Sequence, residues 1–190
     1  MILRSLIIPE VVEIVPKRFE DSRGFFSETY SRTRFESAGL CRDWVQDNHS
    51  YSASAGVLRG LHYQAPPFAQ DKLVRVIRGA IFDVAVDIRH GSPSFGKWVS
   101  LTVSAEAWNQ ILVPKGFAHG FLTLEPHTEV IYKVSAPYSP DHDRNIRFDD
   151  PDLAVNWPVL DGSPVLSEKD LRAPAFAAVN SGFNYGEEGN

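Results

Sequence analysis

Strict two-residue alternation in the middle of the chain is the feature that most limits its fold. In IFDVAVDIR, Phe82, Val84, Val86 and Ile88 share one face, and Ile81, Asp83, Ala85 and Asp87 share the other. In KWVSLTV, Val99, Leu101 and Val103 face away from Trp98, Ser100 and Thr102. In TEVIYKVSA, Val130, Tyr132 and Val134 lie together. A strand sends successive side chains to opposite faces, so these runs read as strands. Gly and Pro punctuate them at Ala65-Pro66-Pro67, Gly79, Gly91-Ser92-Pro93, Pro114-Lys115-Gly116, Pro126 and Pro140. Many short strands at such spacing predict a mainly all-β sandwich or barrel. Helical pattern is scarce. Residues 31–39 fit a short helix with Ser31 as N-cap and Gly39 past its end, and residues 167–172 fit another opened by Ser167. No repeat, low-complexity tract or linker divides residues 1–190, which read as one domain. The Ala-, Gly- and Asn-rich stretch 173–190 reads as a loose tail.

Composition narrows the function classes. A net charge of −5 excludes a general nucleic-acid binder, which needs a basic footprint. It leaves room for one phosphorylated small molecule held by a few local cations. An apolar content of 43% supports a sizeable core and excludes a disordered chain. The single Cys41 excludes an internal disulfide framework and a Cys-cluster zinc site, and fits a reducing cytoplasm. No run approaches the about 18 apolar residues of a spanning helix. The start, MILRSLIIPEVVEIV, is interrupted by Arg4, Pro9 and Glu10 and does not read as a signal peptide.

The densest chemistry lies in VLRGLHYQ, residues 57–64, followed by QDKLVRV. Cations beside a histidine favour its neutral form, the form a general base needs. Arg59 and Lys72 suit a diphosphate or an enolate oxygen. The plainer reading makes His62 a hydrogen-bonded core histidine among solvated cations. Strict alternation puts Arg59 and His62 on opposite faces. They share a site only if the strand bulges, and Gly60 between them is suited to that.

In VPKGFAHGFLTL, Pro114 and Gly116 make a turn with His119 just beyond. Pro-x-Gly-x-x-His resembles the second half of a cupin signature. The first half, His-x-His in metal-binding cupins, here reads His62-Tyr63-Gln64, so a three-His metal site of that kind cannot form. Tyr132 is a core tyrosine or a general acid facing a ligand. Asp170 sits at the third position after Ser167, as in a capping box, or orients a histidine. In RFEDSRGFFSETY, Phe25 and Phe26 beside Arg23 suit a stacked base and a phosphate, or ordinary strand packing. Asp47-Asn48-His49-Ser50 reads as a polar turn, and Arg147, Asp149 and Asp150 as a solvated segment.

Together these segments resemble the dTDP-4-dehydrorhamnose 3,5-epimerase family of the cupin superfamily. The runs that carry the resemblance are RFEDSRGFFSETY, VQDNHS, GVLRGLHYQ, QDKLVRVIRG, FDVAVDIRHGSPSFGKWV, VPKGFAHGFL, EVIYK, IRFDDP and LSEKD. They run in order from about residue 16 to residue 170. The resemblance implies a cupin-type jelly-roll β-barrel with a few short helices, a cytoplasmic homodimer without metal or organic cofactor. The implied substrate is dTDP-4-dehydro-6-deoxy-D-glucose and the product dTDP-4-dehydro-L-rhamnose, on the route to L-rhamnose of bacterial surface polysaccharides. It makes His62 the base and Tyr132 the acid, pairs Asp170 with His62, and sets Lys72 beside the C4 carbonyl. Arg23, Glu28, Gln46, Asp47, Asn48, Arg59, His119 and Lys169 match ligand-binding positions. Asp143 stands where many members carry the longer Glu. Phe26 and Tyr138 suit a sandwich around the thymine. The competing readings are an epimerase acting at C3 or C5 alone, a non-catalytic nucleotide-sugar-binding cupin, and a metal-dependent cupin.

Overall fold

The computed structural model describes residues 1–160 and 162–186. The chain enters through β1 (Ile2–Ser5) and β2 (Val12–Val15), then forms the hairpin β3 (Arg18–Asp21) and β4 (Gly24–Ser27). Helix α1 (Arg32–Ser37) precedes a run of longer strands: β5 (Gln46–Ser52), β6 (Leu58–Gln64), β7 (Lys72–Arg78), β8 (Ala80–Asp87) and β9 (Trp98–Ser104). Then follow β10 (Gln110–Val113), β11 (Phe117–Thr123), β12 (Thr128–Val134), β13 (Asp143–Asn145) and helix α2 (Glu168–Leu171). Among the described residues, a six-stranded sheet has the order β1-β2-β10-β7-β12-β5, and a five-stranded sheet the order β13-β6-β11-β8-β9; β3 and β4 pair apart. All of these pairings are antiparallel. The fold is the expected jelly roll.

Alternation decides what lies between the two large sheets. Val74, Val76 and Val130 of the first meet Ile81, Ala85 and Phe121 of the second in one core. The opposite face of the second sheet presents Leu61, Val84, Val86 and Ile88, and it too is buried. Its cover is the chain beyond β13: Leu153, Trp157, Phe176, Val179 and Phe183 pack there. Each such side chain withdrawn from water contributes about 1.5–3 kcal/mol.

The tail is therefore not loose. Ser181 Oγ donates to the Ile88 carbonyl at 2.6 Å, and His90 N–H donates to the Phe183 carbonyl at 2.9 Å. The Ala- and Gly-rich composition conceals a few apolar anchors, and these decide the placement. Residues 187–190 of the expected tail lie outside the described residues.

Both expected helices form. In α1 Phe35 is the buried residue and packs on Ile14, Leu73 and Leu112, closing part of the outer face of the first sheet. Ser31 occupies the N-cap position, but its side chain makes no capping bond. Ser167 does cap α2, accepting from Asp170 N–H at 3.2 Å. No helix among the described residues is long and apolar enough to cross a membrane.

Candidate active site

A bulge builds one wall of the site. On the paired strands β6 and β11, His62 lies opposite His119 and Arg59 opposite Phe121. Three steps along β6 thus match two along β11, so β6 carries one extra residue. That shift turns Arg59 to the inner face that His62 occupies. Gly60 permits it: its φ is +144°, and a Cβ there would stand 2.5 Å from the Gly120 Cα. Gly60→Ala is expected to destabilise the fold by about 2 kcal/mol or more. Urea unfolding reads this as a lower midpoint, and an unchanged midpoint would mean the bulge tolerates a side chain.

A cavity of about 370 Å³ between the sheets gathers Arg59, His62, Lys72, His119, Tyr132 and Asp170. Asp170, on α2, is only 4% exposed. Its carboxylate accepts from His62 Nε2 at 2.5 Å and from Ser167 Oγ at 2.8 Å. Asp170 is thus both bonded to the N-cap Ser167 and the partner of His62, two roles that the sequence presents as alternatives. Burial pushes the Asp170 carboxyl up, but the hydrogen bonds from His62 and Ser167 and the Lys169 charge outweigh it and hold the group below the usual carboxylate range. An ionised partner on Nε2–H leaves Nδ1 of His62 as the basic nitrogen.

Tyr132 enters the cavity from β12, in the sheet opposite His62. Burial raises its phenol above the ordinary value, with Arg59 opposing and Asp143 reinforcing, so it is protonated at neutral pH. Lys72, at the start of β7, donates to the His62 carbonyl at 3.4 Å. Burial lowers its ammonium to about 8, against the pull of Asp83 and Asp143. Burial likewise lowers the His119 imidazole, against Asp83.

A polar rim continues from the cavity. Lys169 Nζ lies 2.5 Å from Asp143 Oδ2, which also accepts from Tyr138 Oη at 3.1 Å. Tyr138 N–H donates to Gln46 Oε1 at 3.1 Å, and Gln46 Nε2 to Asn48 Oδ1 at 2.8 Å. The 58% exposed Tyr138 ring is open to a ligand from this rim.

Four expected positions lie elsewhere. Asp47 alternates away from Asn48 and pairs with Lys133 at 2.9 Å. Glu28 pairs with Arg34 at 2.9 Å. Arg23 closes on Asp21 at 2.6 Å at the tip of the β3–β4 hairpin, where Phe26 is 70% exposed. None of the four lines this chain's own cavity.

Sequence reasoning misses Asp83, Ser50 and Phe121. Phe121 and Ser50 line the cavity, and Asp83 binds His119 Nε2 through Oδ2 at 2.8 Å. The signal for Asp83 is visible in retrospect: a carboxylate on the inner face of IFDVAVDIR, between Ile81 and Ala85. Ser50 Oγ, Arg59 Nε and Asp83 Oδ1 are buried without a hydrogen-bond partner. Unsatisfied polar atoms are rare in native proteins and concentrate where a ligand completes them. Among the described residues, no group of three or more His, Cys, Asp or Glu side chains is placed to hold a metal ion.

Comparison with known proteins places the chain in a family. The family model described as dTDP-4-dehydrorhamnose 3,5-epimerase matches residues 5–178. A protein of that name from Sinorhizobium fredii (strain NBRC 101917 / NGR234) is 51% identical over 185 residues, covering 97% of this chain and 94% of its own. The crystal structure of a dTDP-4-dehydrorhamnose 3,5-epimerase from Bacillus anthracis, with TDP and PPi bound, is similar at a TM-score of 0.88 and 48% identity, covering 91% of this chain and 98% of its own. That of the dTDP-6-deoxy-D-glucose-3,5-epimerase from Legionella pneumophila, in complex with dTDP-4-keto-L-rhamnose, reaches 0.91 at 42% identity, covering 96% and 97%. Matched over most of its length in sequence and in fold, the chain belongs to the dTDP-4-dehydrorhamnose 3,5-epimerase family.

Proposed function

We propose that the protein inverts C3 and C5 of dTDP-4-dehydro-6-deoxy-D-glucose, giving dTDP-4-dehydro-L-rhamnose. One arrangement carries the reading: a carboxylate-paired histidine and a protonated tyrosine face one cavity from opposite sheets, with a lysine beside them. The C4 ketone acidifies the protons on both flanking carbons. His62 Nδ1 removes one as a proton. The electron pair left behind delocalises onto the ketone oxygen, and the Lys72 ammonium stabilises that enolate charge. Asp170 steadies the imidazolium that forms. The Tyr132 phenol then delivers a proton to the same carbon from the opposite face, and the stereocentre is inverted. The imidazolium then gives its proton to solvent and the phenolate takes one back, and repetition at the second carbon completes the reaction. The rim of Gln46, Asn48, Tyr138, Asp143 and Lys169 and the Arg59 guanidinium suit the nucleoside diphosphate, as the TDP and dTDP-sugar bound to the similar structures support.

The reading extends to a homodimer. Arg23, Phe26 and Glu28 are expected ligand positions that this chain's cavity does not use, and the hairpin presents Phe19, Phe25 and Phe26 to solvent. A second copy that lays its hairpin beside the cavity brings them to the ligand. Such a dimer sediments at twice 21.2 kDa; a fully active monomer would remove it. The lone Cys41 and the absence of a spanning helix among the described residues suit the cytoplasm, which cell fractionation checks.

The direct test is product analysis. Purified protein, dialysed against a chelator, is incubated with the 4-dehydro sugar nucleotide and a reductase that traps the L-rhamno product. NMR is expected to show inversion at both carbons. A product inverted at one carbon would assign the protein to single-centre epimerases, and bound but unaltered sugar would leave a binding cupin.

A further inference from the structure

Asp83 is a fully buried carboxylate, 0% exposed, in the middle of β8. One oxygen holds His119 Nε2 at 2.8 Å. The other is buried and has no hydrogen-bond partner. Its strand neighbours on that face, Ile81 and Ala85, belong to the apolar core, where an apolar residue would pack without this penalty. A half-satisfied carboxylate in such a place calls for a function beyond packing. The groups that feel its charge are two that line the cavity, the Lys72 ammonium and the His119 imidazole.

We propose that Asp83 is a positioning residue for the proposed epimerisation, holding His119 as the Nε2–H tautomer and keeping the Lys72 ammonium charged where the enolate oxygen forms. The proposal rests on that reaction. His119, neutral through burial, then offers Nδ1 as an acceptor to the sugar. Lys72 needs the help more. Burial draws its ammonium down, and Asp83 is the strongest influence raising it, followed by Asp143, with Lys169 opposing; together they leave it at about 8. The other charged or titratable groups in the cavity wall are Arg59, His62, His119, Tyr132 and Asp170. Removing the Asp83 charge lowers the lysine further and leaves it neutral at the pH where the wild type works.

The test is kcat against pH for wild type, Asp83→Asn, Lys72→Met and the double variant, each checked for a native thermal melt. The wild type is expected to lose activity above about pH 8 as Lys72 gives up its proton. In Asp83→Asn that limb is expected about 1 to 3 pH units lower, with activity regained on acidification. In the Lys72→Met background, adding Asp83→Asn is expected to cost clearly less than it does in the wild type, leaving only the loss through His119, because residues that act through one another are not additive. An unmoved alkaline limb, or an equal loss in both backgrounds, would overturn the proposal. Should Asp83→Asn fail to fold, ¹⁵N shifts of His119 in the wild type decide: the Nε2–H tautomer is expected, and the Nδ1–H tautomer overturns it. A wild type that does not turn over the sugar at all fails the underlying reaction instead.

Discussion

His62→Ala is expected to lower kcat by about 10²–10⁴-fold and to abolish exchange of the sugar's C3 and C5 protons with solvent. The imidazole has a free basic nitrogen and an ionised partner, Asp170, at 2.5 Å. Without it the first proton has no acceptor. The fold should survive, because His62 belongs to none of the apolar clusters and Asp170 keeps its hydrogen bond to Ser167. Near-normal turnover in a folded variant would show that another group is the base.

Tyr132→Phe separates the two halves of the reaction. The ring keeps its packing on the inner face of β12, and His62 and Asp170 are untouched. Proton removal therefore continues, and the enolate forms. The phenol that returns a proton to the opposite face is missing, so the proton comes back from the side it left. Solvent exchange is expected to persist while net inversion falls by about 10²–10⁴-fold. Comparing deuterium uptake with product formation in the same tube reads both. Loss of exchange together with inversion would make Tyr132 part of the removal step.

Much of the architecture was legible in the sequence because the jelly roll is assembled from two-residue alternation. Val74, Val76 and Val130 face the core for the same reason they alternate. The bulge was legible too: Arg59 and His62 conflict under strict alternation, and Gly60 is the one residue between them without a Cβ to clash with Gly120. Asp170 shows the limit of local reasoning. Capping and histidine pairing look like competitors along the chain, yet one residue does both, because its N–H and one oxygen bind Ser167 while its other oxygen binds His62. The anchored tail was hidden for a related reason. Phe176, Val179 and Phe183 are too sparse to form a pattern, and their partners on β8 and β6 lie far away in sequence. Asp83 was passed over as one polar residue in a strand, since nothing nearby in sequence announces the histidine 36 positions on. Arg23 and Phe26, an Arg beside adjacent aromatics, and Glu28, placed by resemblance, are expected in the site, and the fold of one chain places all three outside its own cavity.

The measurement that tests the account most directly is incubation with dTDP-4-dehydro-6-deoxy-D-glucose in heavy water, without added metal, followed by NMR. One cavity with a base on one sheet and an acid on the other predicts deuterium at both C3 and C5 of an L-configured product. Unexchanged protons at both carbons, with the sugar nucleotide still bound, would contradict it.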